Sequence, residues 1–378
     1  MRPKKLKIEN LKVVLAGGGT GGHIYPAIAV AQELKLDADV EKIYYLGNPK
    51  NMEYEIAQKE GLEFLPVTIS GMPRHLGIAL IKWFFELFRA VNTAIRYFIR
   101  IKPSVVLGTG GYVSAPALLA AIILRIPFAI HEPDAHPGIV SKFMSPWATV
   151  VSVAFVQAGR YLTAKNLIVN GNPVRDALGK ASKQDACEKL GLNPDKKTLL
   201  VMGGSQGAKK INEAMADSAK IMAEELGIQV IHQTGRKNYD EYLALLTDKY
   251  PDYAANTAYV VRPYFDDMTV PLSIADLAVS RAGSLSISEL NISKLPSILV
   301  PYPYAAQDHQ RYNARAMENQ GASVYLEDGD CNSTRLVELV KNILSDENKL
   351  GLMREQNASL AKPNAAKDLV EVLKNVAK

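Results

Sequence analysis

The chain has 378 residues and a formal net charge of +5, and 48% of its residues are hydrophobic. At roughly 100 to 200 residues per domain, this length predicts two domains, each large enough to bury a core. Residues 1–170 hold 19 Lys and Arg against 12 Asp and Glu. No nucleic-acid reader motif accompanies this positive charge, so nucleic acid is excluded as a partner and an anionic membrane surface is expected. Two widely spaced cysteines without metal-ligand spacing fit a reducing cytosol.

The first predicted element is a phosphate-binding strand, loop and helix. Residues 13–16 form an apolar strand pattern, and the loop Gly17-Gly18-Gly19-Thr20-Gly21-Gly22-His23 leads into a helical pattern over residues 28–34. Backbone N–H groups at such a helix start can bind phosphate oxygens. The glycine spacing also matches the dinucleotide fingerprint of dehydrogenases. The acid which that fingerprint requires at the end of the second strand, residues 42–46, is missing.

Residues 78–101 form an amphipathic helical pattern that carries too many charges to span a membrane. Six positions at helical spacing predict a buried stripe, namely Leu80, Phe84, Leu87, Val91, Ala94 and Phe98. Four further large apolar residues lie outside that stripe, namely Ile81, Trp83, Phe85 and Phe88. We expect these four either to dock reversibly on anionic lipid or to contact other protein.

Two more glycine loops end predicted strands. Gly108-Thr109-Gly110-Gly111-Tyr112 follows the apolar run 105–107, and Gly203-Gly204-Ser205-Gln206-Gly207-Ala208 follows the run 199–202. Short apolar strands alternating with amphipathic helices predict an α/β fold with parallel sheets.

The domain boundary is predicted at residues 170–174. This gives an N-terminal domain of residues 1–170 and a C-terminal domain of residues 171–350. The remaining stretch, residues 351–378, has a helical pattern apart from Pro363 and is expected to pack back on the first domain.

The segment from Val279 to Glu289 predicts a site for a nucleoside diphosphate. The apolar run 274–279 indicates a buried strand, so residues 283–286 fall at a helix N-terminus. Free N–H groups and the positive end of the helix dipole bind phosphate there. Glu289 lies on the same helix face, where its carboxylate can accept hydrogen bonds from two ribose hydroxyls.

Two Asp-x-Asp pairs formally match a site for a divalent cation, Asp37-Ala38-Asp39 and Asp328-Gly329-Asp330. Neither pair directly follows a convincing buried strand. Both are therefore interpreted as turns, and no protein metal site is expected.

Six motifs occur in a characteristic order: Gly18-Gly19-Thr20-Gly21-Gly22-His23 with Pro26, Gly110-Gly111-Tyr112-Val113-Ser114, His131-Glu132, Gly171-Asn172-Pro173-Val174-Arg175, Gly203 to Ala208, and Arg281 to Glu289. In these motifs the chain resembles the glycosyltransferase family 28 enzymes that add N-acetylglucosamine (GlcNAc) to lipid I and so form lipid II for peptidoglycan. The resemblance implies a GT-B fold, in which two Rossmann-like domains with parallel sheets face each other across a cleft. UDP-GlcNAc would bind mainly to the second domain and lipid I to the first.

The resemblance also implies where the enzyme works. It would attach peripherally to the cytoplasmic face of the bacterial cell membrane, and cell-wall synthesis proteins are expected partners. The membrane-contacting residues would be Ile81, Phe85, Phe88 and Ile122. The acceptor-binding residues would be Gly18, Gly19, Gly110, Gly111 and Tyr112.

Donor-binding roles follow from the same resemblance. Glu289 would hold the ribose, the backbone of Phe265 would pair with uracil, and the positions of His309 and Gln310 would read the sugar hydroxyls. The other residues assigned to UDP-GlcNAc are Thr20, Gly21, Gly22, Arg175, Ser205, Arg281, Ser284, Leu285 and Ser286. Many family members have Gln at the position of His309. A second departure is Asp134, which stands where the family usually has Asn and which adds negative charge near an anionic acceptor.

The implied reaction is an inverting transfer, in which the C4 hydroxyl of the N-acetylmuramic acid (MurNAc) of lipid I attacks C1 of GlcNAc as UDP leaves. His23 is the first candidate base, because it ends the acceptor-side glycine loop and imidazole titrates near neutrality. It could instead bind acceptor or cap the helix. Glu132 and Asp134 are the alternative bases. Arg281 and the helix start at residues 283–286 would stabilise the leaving UDP. No tightly bound cofactor is expected, and free Mg²⁺ would at most assist the acceptor diphosphate.

Three other functions stay open on the sequence. A UDP-sugar:diacylglycerol glycosyltransferase of similar fold would use a neutral acceptor. A UDP-sugar 2-epimerase would consume the donor without an acceptor. A non-catalytic scaffold would bind the UDP-sugar without turnover, although intact His23, Arg281 and Glu289 argue against it.

Overall fold

A computed structural model describes residues 10–73, 75, 77–174, 182–204 and 206–377 of the chain. The chain divides into two compact units. The first comprises residues 1–174 and 363–378, and the second comprises residues 175–362.

The first unit is built on a parallel sheet. Its strands are β1 (Leu11–Gly17), β2 (Val40–Gly47), β3 (Glu63–Pro66), β4 (Val105–Gly110), β5 (Phe128–Glu132), β6 (Val150–Val153) and β7 (Leu167–Val169). Its α-helices are α1 (Gly21–Lys35), α2 (Met52–Lys59), α3 (Ile78–Ile101), α4 (Ala115–Leu124), α5 (Ile139–Met144) and, from the end of the chain, α14 (Ala365–Val376). In the described residues the strand order is β3-β2-β1-β4-β5-β6-β7.

The second unit repeats this plan. Its strands are β8 (Thr198–Met202), β9 (Gln229–Gln233), β10 (Tyr259–Arg262), β11 (Leu277–Ser280), β12 (Ser297–Leu299) and β13 (Ser323–Tyr325). Its α-helices are α6 (Lys183–Leu190), α7 (Lys209–Lys220), α8 (Tyr239–Lys249), α9 (Thr269–Ile274), α10 (Ser284–Ile292), α11 (His309–Glu318), α12 (Ser333–Leu344) and α13 (Glu347–Leu360). The order of the described strands is β10-β9-β8-β11-β12-β13.

Helices cover both faces of the first sheet, which explains why its central strands are apolar without alternation. One core cluster joins strand residues to Phe98 of α3, Leu118 of α4 and Met144 of α5. The other joins them to Ile24 of α1 and Leu369 of α14. The apolar runs predicted as strands in β1, β2, β4 and β8 are confirmed.

Only part of the stretch 351–378 packs on the first domain as predicted. Helix α13 stays in the second unit, where Asn357 Nδ2 donates to the Ala322 carbonyl at 2.7 Å. Helix α14 belongs to the first unit, where Asn170 Nδ2 donates to the Ala365 carbonyl at 2.8 Å. Pro363 separates the two helices, because proline cannot continue a helix.

The strand predicted over residues 274–279 begins later, at Leu277. Ile274 ends α9, and Asp276 is a buried carboxylate that accepts from the Thr198 N–H at 3.0 Å and from Arg354 at 2.8 Å. The hydrogen bonds of Asp276 lie between the end of α9 and the start of β11. The apolar pattern of residues 274–279 did not indicate that a helix ends and a strand begins there.

Both sheets reverse their strand order at one point, between β1 and β4 in the first and between β8 and β11 in the second. Open parallel sheets bind ligands outside the carboxyl ends of the strands at such a point. All four glycine segments singled out in the sequence follow these four strands. Among the described helices none is both long and apolar enough to cross a bilayer.

Candidate active site

The two glycine loops of the first unit are in direct contact. Gly110 and Gly111 have φ values of 101° and 73°, a conformation that favours glycine. A Cβ atom on Gly111 would lie 2.1 Å from the carbonyl oxygen of Gly18. Only glycine lets the loops after β1 and β4 approach this closely, so the predicted acceptor-binding glycines come together at one place.

His23 lies between these loops, in the first turn of α1. Its Nδ1 is 3.1 Å from Thr20 Oγ1, and its carbonyl accepts from Thr109 Oγ1 at 2.6 Å. A Cβ atom on Gly110 would lie 3.1 Å from His23 Nε2. The ring therefore has a fixed place beside both loops, and its Nδ1 is paired with the Thr20 hydroxyl. Gly21 and Gly22 form the first residues of α1, where helix N–H groups are available to an anion.

Glu53 is a buried residue of this site that the sequence analysis missed. Its carboxylate accepts from the Asn48 N–H at 3.2 Å and from the Gly19 N–H at 3.4 Å. Asn51 Nδ2 bridges Glu53 and the hydroxyl of Tyr112, at 3.0 and 3.2 Å. Glu53 thus fixes the glycine loop after β1 by accepting a hydrogen bond from its backbone. An acid in the first turn of the helix after β2 was the available signal.

The last residues of β5 and the segment after it are buried, and their polar groups are hydrogen-bonded. His131 contacts Asn172 Oδ1 at 2.9 Å and Ser152 Oγ at 3.2 Å, and burial lowers the pKa of His131 to about 4. Asp134 raises this pKa and His23 lowers it through their charges, so both lie near His131. The predicted base candidates His23 and Asp134 are therefore neighbours of one buried histidine.

Glu132 holds the following loop. Its two carboxylate oxygens accept from the N–H groups of Asp134 and Gly138, at 3.1 and 3.2 Å, and the side chain is 2% exposed. Burial and the charge of Asp134 raise the pKa of Glu132. This geometry favours a loop-holding role for Glu132 over that of a base.

In the second unit the loop after β8 packs against the loop after β9. A Cβ atom on Gly207 would lie 2.1 Å from the Thr234 carbonyl, and Asn238 Nδ2 donates to the Gln206 carbonyl at 3.1 Å. These contacts fix the turn that leads into α7. The predicted donor ligands Ser205 and Arg175 lie outside the described residues.

The strand, turn and helix predicted around Gly283 are present. Gly283 is the N-cap of α10, Ser284 is buried, and Leu285, Ser286 and Glu289 are half-buried. This helix begins at the carboxyl end of β11, at the point where the strand order reverses. Its first N–H groups can bind a diphosphate, and Glu289 follows within the same helix.

The guanidinium of Arg281 donates hydrogen bonds to protein oxygens. Its Nη1 donates to the carbonyls of Val300 and Pro301, both at 3.2 Å, and to Asp328 Oδ1 at 2.5 Å. The guanidinium also lies 5.6 Å from the centre of the Tyr302 ring. Arg281 therefore ties the turn before α10 to the end of β12, and Asp328 neutralises its charge.

The remaining donor residues are also held by local contacts. The Phe265 N–H donates to Gln233 Oε1 at 2.9 Å, so this N–H reaches a uracil only if Gln233 releases it. Gln310 Oε1 accepts from the Tyr302 N–H at 3.0 Å. His309 Nδ1 lies 2.8 Å from the Ala306 carbonyl.

These contacts define what His309 and Gln310 offer to a ligand. Because a carbonyl only accepts, His309 carries its proton on Nδ1, and the Nε2 of the neutral ring is an acceptor. Gln310 uses its oxygen internally and presents its amide donors. The two residues before His309 have positive φ values of 53° and 57°, and such strain in non-glycine residues is typical of functional sites.

The apolar residues predicted to contact membrane are exposed in part. Ile81, Phe85 and Phe88 are 58%, 66% and 68% exposed. Phe84, predicted as core, is 56% exposed, so it joins this surface, whereas Val91, Ala94 and Phe98 are buried as predicted. We call Ile81, Phe84, Phe85 and Phe88 the α3 patch.

Ile122 and Trp83 are less exposed than the residues of the α3 patch. Ile122 is half-buried and packs against the core, and its neighbour Ile123 is 59% exposed instead. Trp83 is half-buried and donates from Nε1 to the Ser70 carbonyl at 2.9 Å. Its ring therefore covers a loop of the first unit.

Both Asp-x-Asp pairs are bonded to cationic side chains. Lys374 Nζ lies 2.7 Å from Asp37 and 3.0 Å from Asp39, and Arg281 contacts Asp328. Within the described residues no group of three or more His, Cys, Asp or Glu side chains is arranged to hold a metal ion.

Two parallel sheets of the Rossmann type, each with glycine-bounded helix starts where the strand order reverses, are the architecture of the GT-B fold. The model of the glycosyltransferase family 28 N-terminal domain matches residues 13–153, and the model of its C-terminal domain matches residues 198–371. The chain belongs to glycosyltransferase family 28, and the predicted fold and family are confirmed.

Curated relatives match the whole chain. A protein of Halothermothrix orenii is 37% identical over 371 residues, covering 97% of this chain and all of the relative. One of Desulfitobacterium hafniense is 38% identical over 363 residues, covering 96% and 98%. Both are named UDP-N-acetylglucosamine--N-acetylmuramyl-(pentapeptide) pyrophosphoryl-undecaprenol N-acetylglucosamine transferase. The crystal structure of Acinetobacter baumannii MurG superposes with a TM-score of 0.77 at 28% identity, covering 96% of this chain and 99% of that one.

Proposed function

We propose that this glycosyltransferase moves GlcNAc from UDP-GlcNAc to the C4 hydroxyl of the MurNAc of lipid I, with inversion at C1, and so forms lipid II for peptidoglycan. The observation that carries the proposal is the match over nearly the full length of both partners to relatives named for this transfer. The site geometry supports it, since each unit offers helix N-termini and glycine loops for anionic ligands.

The donor site is proposed at the start of α10. Its first N–H groups would hold the diphosphate, and Glu289 would accept from the ribose hydroxyls. His309 Nε2 would accept from one sugar hydroxyl, while the Gln310 amide would donate to another. An acceptor and a donor side by side suit a pair of hydroxyls, so His309 is compatible with sugar recognition although the family often has Gln there.

The roles proposed for Phe265 toward uracil and for Arg281 toward the diphosphate differ from those that the family resemblance implies. For the Phe265 backbone to pair with uracil through its N–H, Gln233 would have to release that group. Arg281 acts on the diphosphate through position, because it holds the turn from which α10 starts. The leaving UDP would then be stabilised by the helix N-terminus itself.

His23 is the proposed base. Its Nδ1–H would donate to Thr20 Oγ1, which leaves the lone pair of Nε2 to take the proton of the C4 hydroxyl. The C4 oxygen would form its bond to C1 as the bond from C1 to the UDP oxygen breaks. Asp134, close to the same buried histidine, is the second candidate. Free Mg²⁺ would at most pair with the acceptor diphosphate, for which Gly18, Gly19 and Gly111 offer backbone groups.

Attachment to the cytoplasmic face of the cell membrane is proposed through the α3 patch. Four large exposed apolar side chains grouped on one helix are unusual on a surface that meets only water, and such a group marks an interaction site. Arginines on the same helix would meet anionic headgroups. Proteins of cell-wall synthesis are proposed as further partners at this membrane.

The test is a transfer assay in which the acceptor is varied. Radiolabelled GlcNAc is offered as UDP-GlcNAc with a short-chain lipid I analogue, with diacylglycerol, and with no acceptor. Product only with lipid I supports the proposal. Transfer to diacylglycerol, or release of UDP without acceptor, would instead support the lipid glycosyltransferase or the epimerase. UDP binding without any turnover would support a scaffold.

A further inference from the structure

A second exposed apolar cluster lies on α5 and the short 3₁₀ turn after it, Ser145–Trp147. Ile139, Phe143 and Trp147 are spaced four residues apart and are 53%, 62% and 53% exposed. The Phe143 and Trp147 rings lie 5.7 Å apart. We call these three residues the α5 cluster. Grouped large apolar side chains on a surface mark a contact with a partner or a membrane.

The α5 cluster and the α3 patch belong to helices on the same face of the first sheet. Phe98 of α3, Leu118 of α4 and Met144 of α5 contribute to one core cluster with strand residues, so all three helices pack on that face of the sheet. A flat partner that meets the α3 patch would therefore also come close to α5.

The part of the first unit that follows the α3 patch in sequence is basic at its surface. Residues 87–174 contain eight Lys and Arg and only two acids, Glu132 and Asp134, and both acids are buried. Seven of the basic residues are exposed, namely Arg89, Arg96, Arg100, Lys102, Arg125, Arg160 and Lys165. Basic residues spread over so long a stretch, without an exposed carboxylate, complement an extended anionic surface better than a single acidic group.

The eighth basic residue, Lys142, lies on α5 itself, next to Phe143 in sequence. Its Nζ donates to His136 Nε2 at 2.7 Å and lies 5.4 Å from the centre of the Tyr161 ring. Within the described residues Lys142 makes no ion pair with a carboxylate. An ammonium group beside aromatic and aliphatic side chains is the combination found at the headgroup level of a bilayer.

We infer that the α5 cluster is a second membrane-contact site, which inserts Ile139, Phe143 and Trp147 into the interface of an anionic bilayer while the α3 patch occupies the same leaflet. The inference rests on the membrane attachment proposed above and extends it. Two separate contacts would fix the orientation of the first unit, whereas one patch would let it rotate. The carboxyl end of β5, where α5 follows, would then be held close to the lipid surface.

Trp147 allows a direct test, because Trp83 and Trp147 are the only tryptophans of the chain. Trp83→Phe leaves Trp147 as the sole tryptophan, which is excited selectively at 295 nm. The full chain is mixed with vesicles of phosphatidylglycerol and phosphatidylcholine that carry brominated acyl chains. We expect a blue shift of Trp147 emission and strong quenching by bromine. Unchanged, unquenched emission from protein that cosediments with the vesicles would overturn the inference while attachment itself still holds.

A second arm keeps both tryptophans and measures vesicle cosedimentation. Ile139→Ser/Phe143→Ser is expected to weaken partitioning about tenfold, from the loss of two apolar side chains that enter lipid. Leu352→Ser is the matched control, because Leu352 is 62% exposed on the second unit, and it should change nothing. Phe85→Ser/Phe88→Ser tests the α3 patch separately. If only the α3 variant loses binding, the α5 site is refuted. If the unaltered chain does not bind at all, the attachment and the inference both fail.

Discussion

Replacing Arg281 with Met separates a structural role of this residue from direct binding of the diphosphate. The side chains of Arg281 and Asp328 are only 12% and 20% exposed. Removing one partner of a fully buried ion pair costs about 3 to 5 kcal/mol, and partial exposure reduces this to about 2 to 3 kcal/mol. The carbonyls of Val300 and Pro301 also lose their donor. We therefore expect the free energy of unfolding of the second unit to fall by about 3 kcal/mol.

Urea unfolding can assign this loss to the correct unit. Both tryptophans lie in the first unit, so tryptophan fluorescence follows that unit and far-UV circular dichroism follows both. Arg281→Met should lower the midpoint of the dichroism transition by about 1 to 2 M urea and leave the fluorescence transition in place. Arg335→Met is the matched control, since its pair with Glu338 is 47% and 53% exposed and should contribute less than about 1 kcal/mol.

The binding of UDP completes the test. If Arg281 acts by holding the turn, Asp328→Asn should lower UDP affinity about as much as Arg281→Met does. The reasoning is refuted if Arg281→Met unfolds like the Arg335 control and yet loses most of its UDP affinity while Asp328→Asn binds normally. Arg281 would then be a direct ligand of the diphosphate.

Three further predictions concern single residues. His23→Ala should slow transfer by about 10²- to 10⁴-fold with UDP-GlcNAc affinity preserved in calorimetry, and near-normal turnover would reassign the base. Glu289→Ala should weaken UDP binding about tenfold to a hundredfold, because the ribose loses hydrogen bonds to a charged group, and unchanged affinity would remove that role. His131 has its pKa lowered to about 4 by burial, so its contribution to stability is complete above pH 6.5 and is lost as pH falls toward 4. Glu132, whose pKa burial raises, contributes the opposite pH dependence, so the effect of His131 is read as a difference between two proteins. The stability advantage of the unaltered chain over His131→Gln, measured by tryptophan-detected unfolding, should shrink by about 3 kcal/mol between pH 6.5 and pH 4.

Sequence patterns predicted the fold well because parallel strands buried on both faces leave continuous apolar runs. Glycine loops were also predictable, since only glycine permits contacts such as that between Gly111 and Gly18. The partners of charged side chains could not be predicted. Asp328 is 47 residues away from Arg281, and Glu53 is 34 residues away from Gly19, so only the folded chain brings each pair together.

Surface and core on α3 were partly confused for a related reason. A helical stripe gives the direction of the apolar face but not the point at which the helix extends beyond the core. Val91, Ala94 and Phe98 are buried, whereas Phe84, on the same predicted stripe, is exposed.

The most direct test of the proposed function is transfer of GlcNAc from UDP-GlcNAc to a short-chain lipid I analogue, with the His23→Ala variant and diacylglycerol as parallel controls. The account predicts a disaccharide product that depends on lipid I and on His23. A protein that binds UDP-GlcNAc but glycosylates only diacylglycerol, or that releases UDP without any acceptor, would contradict it.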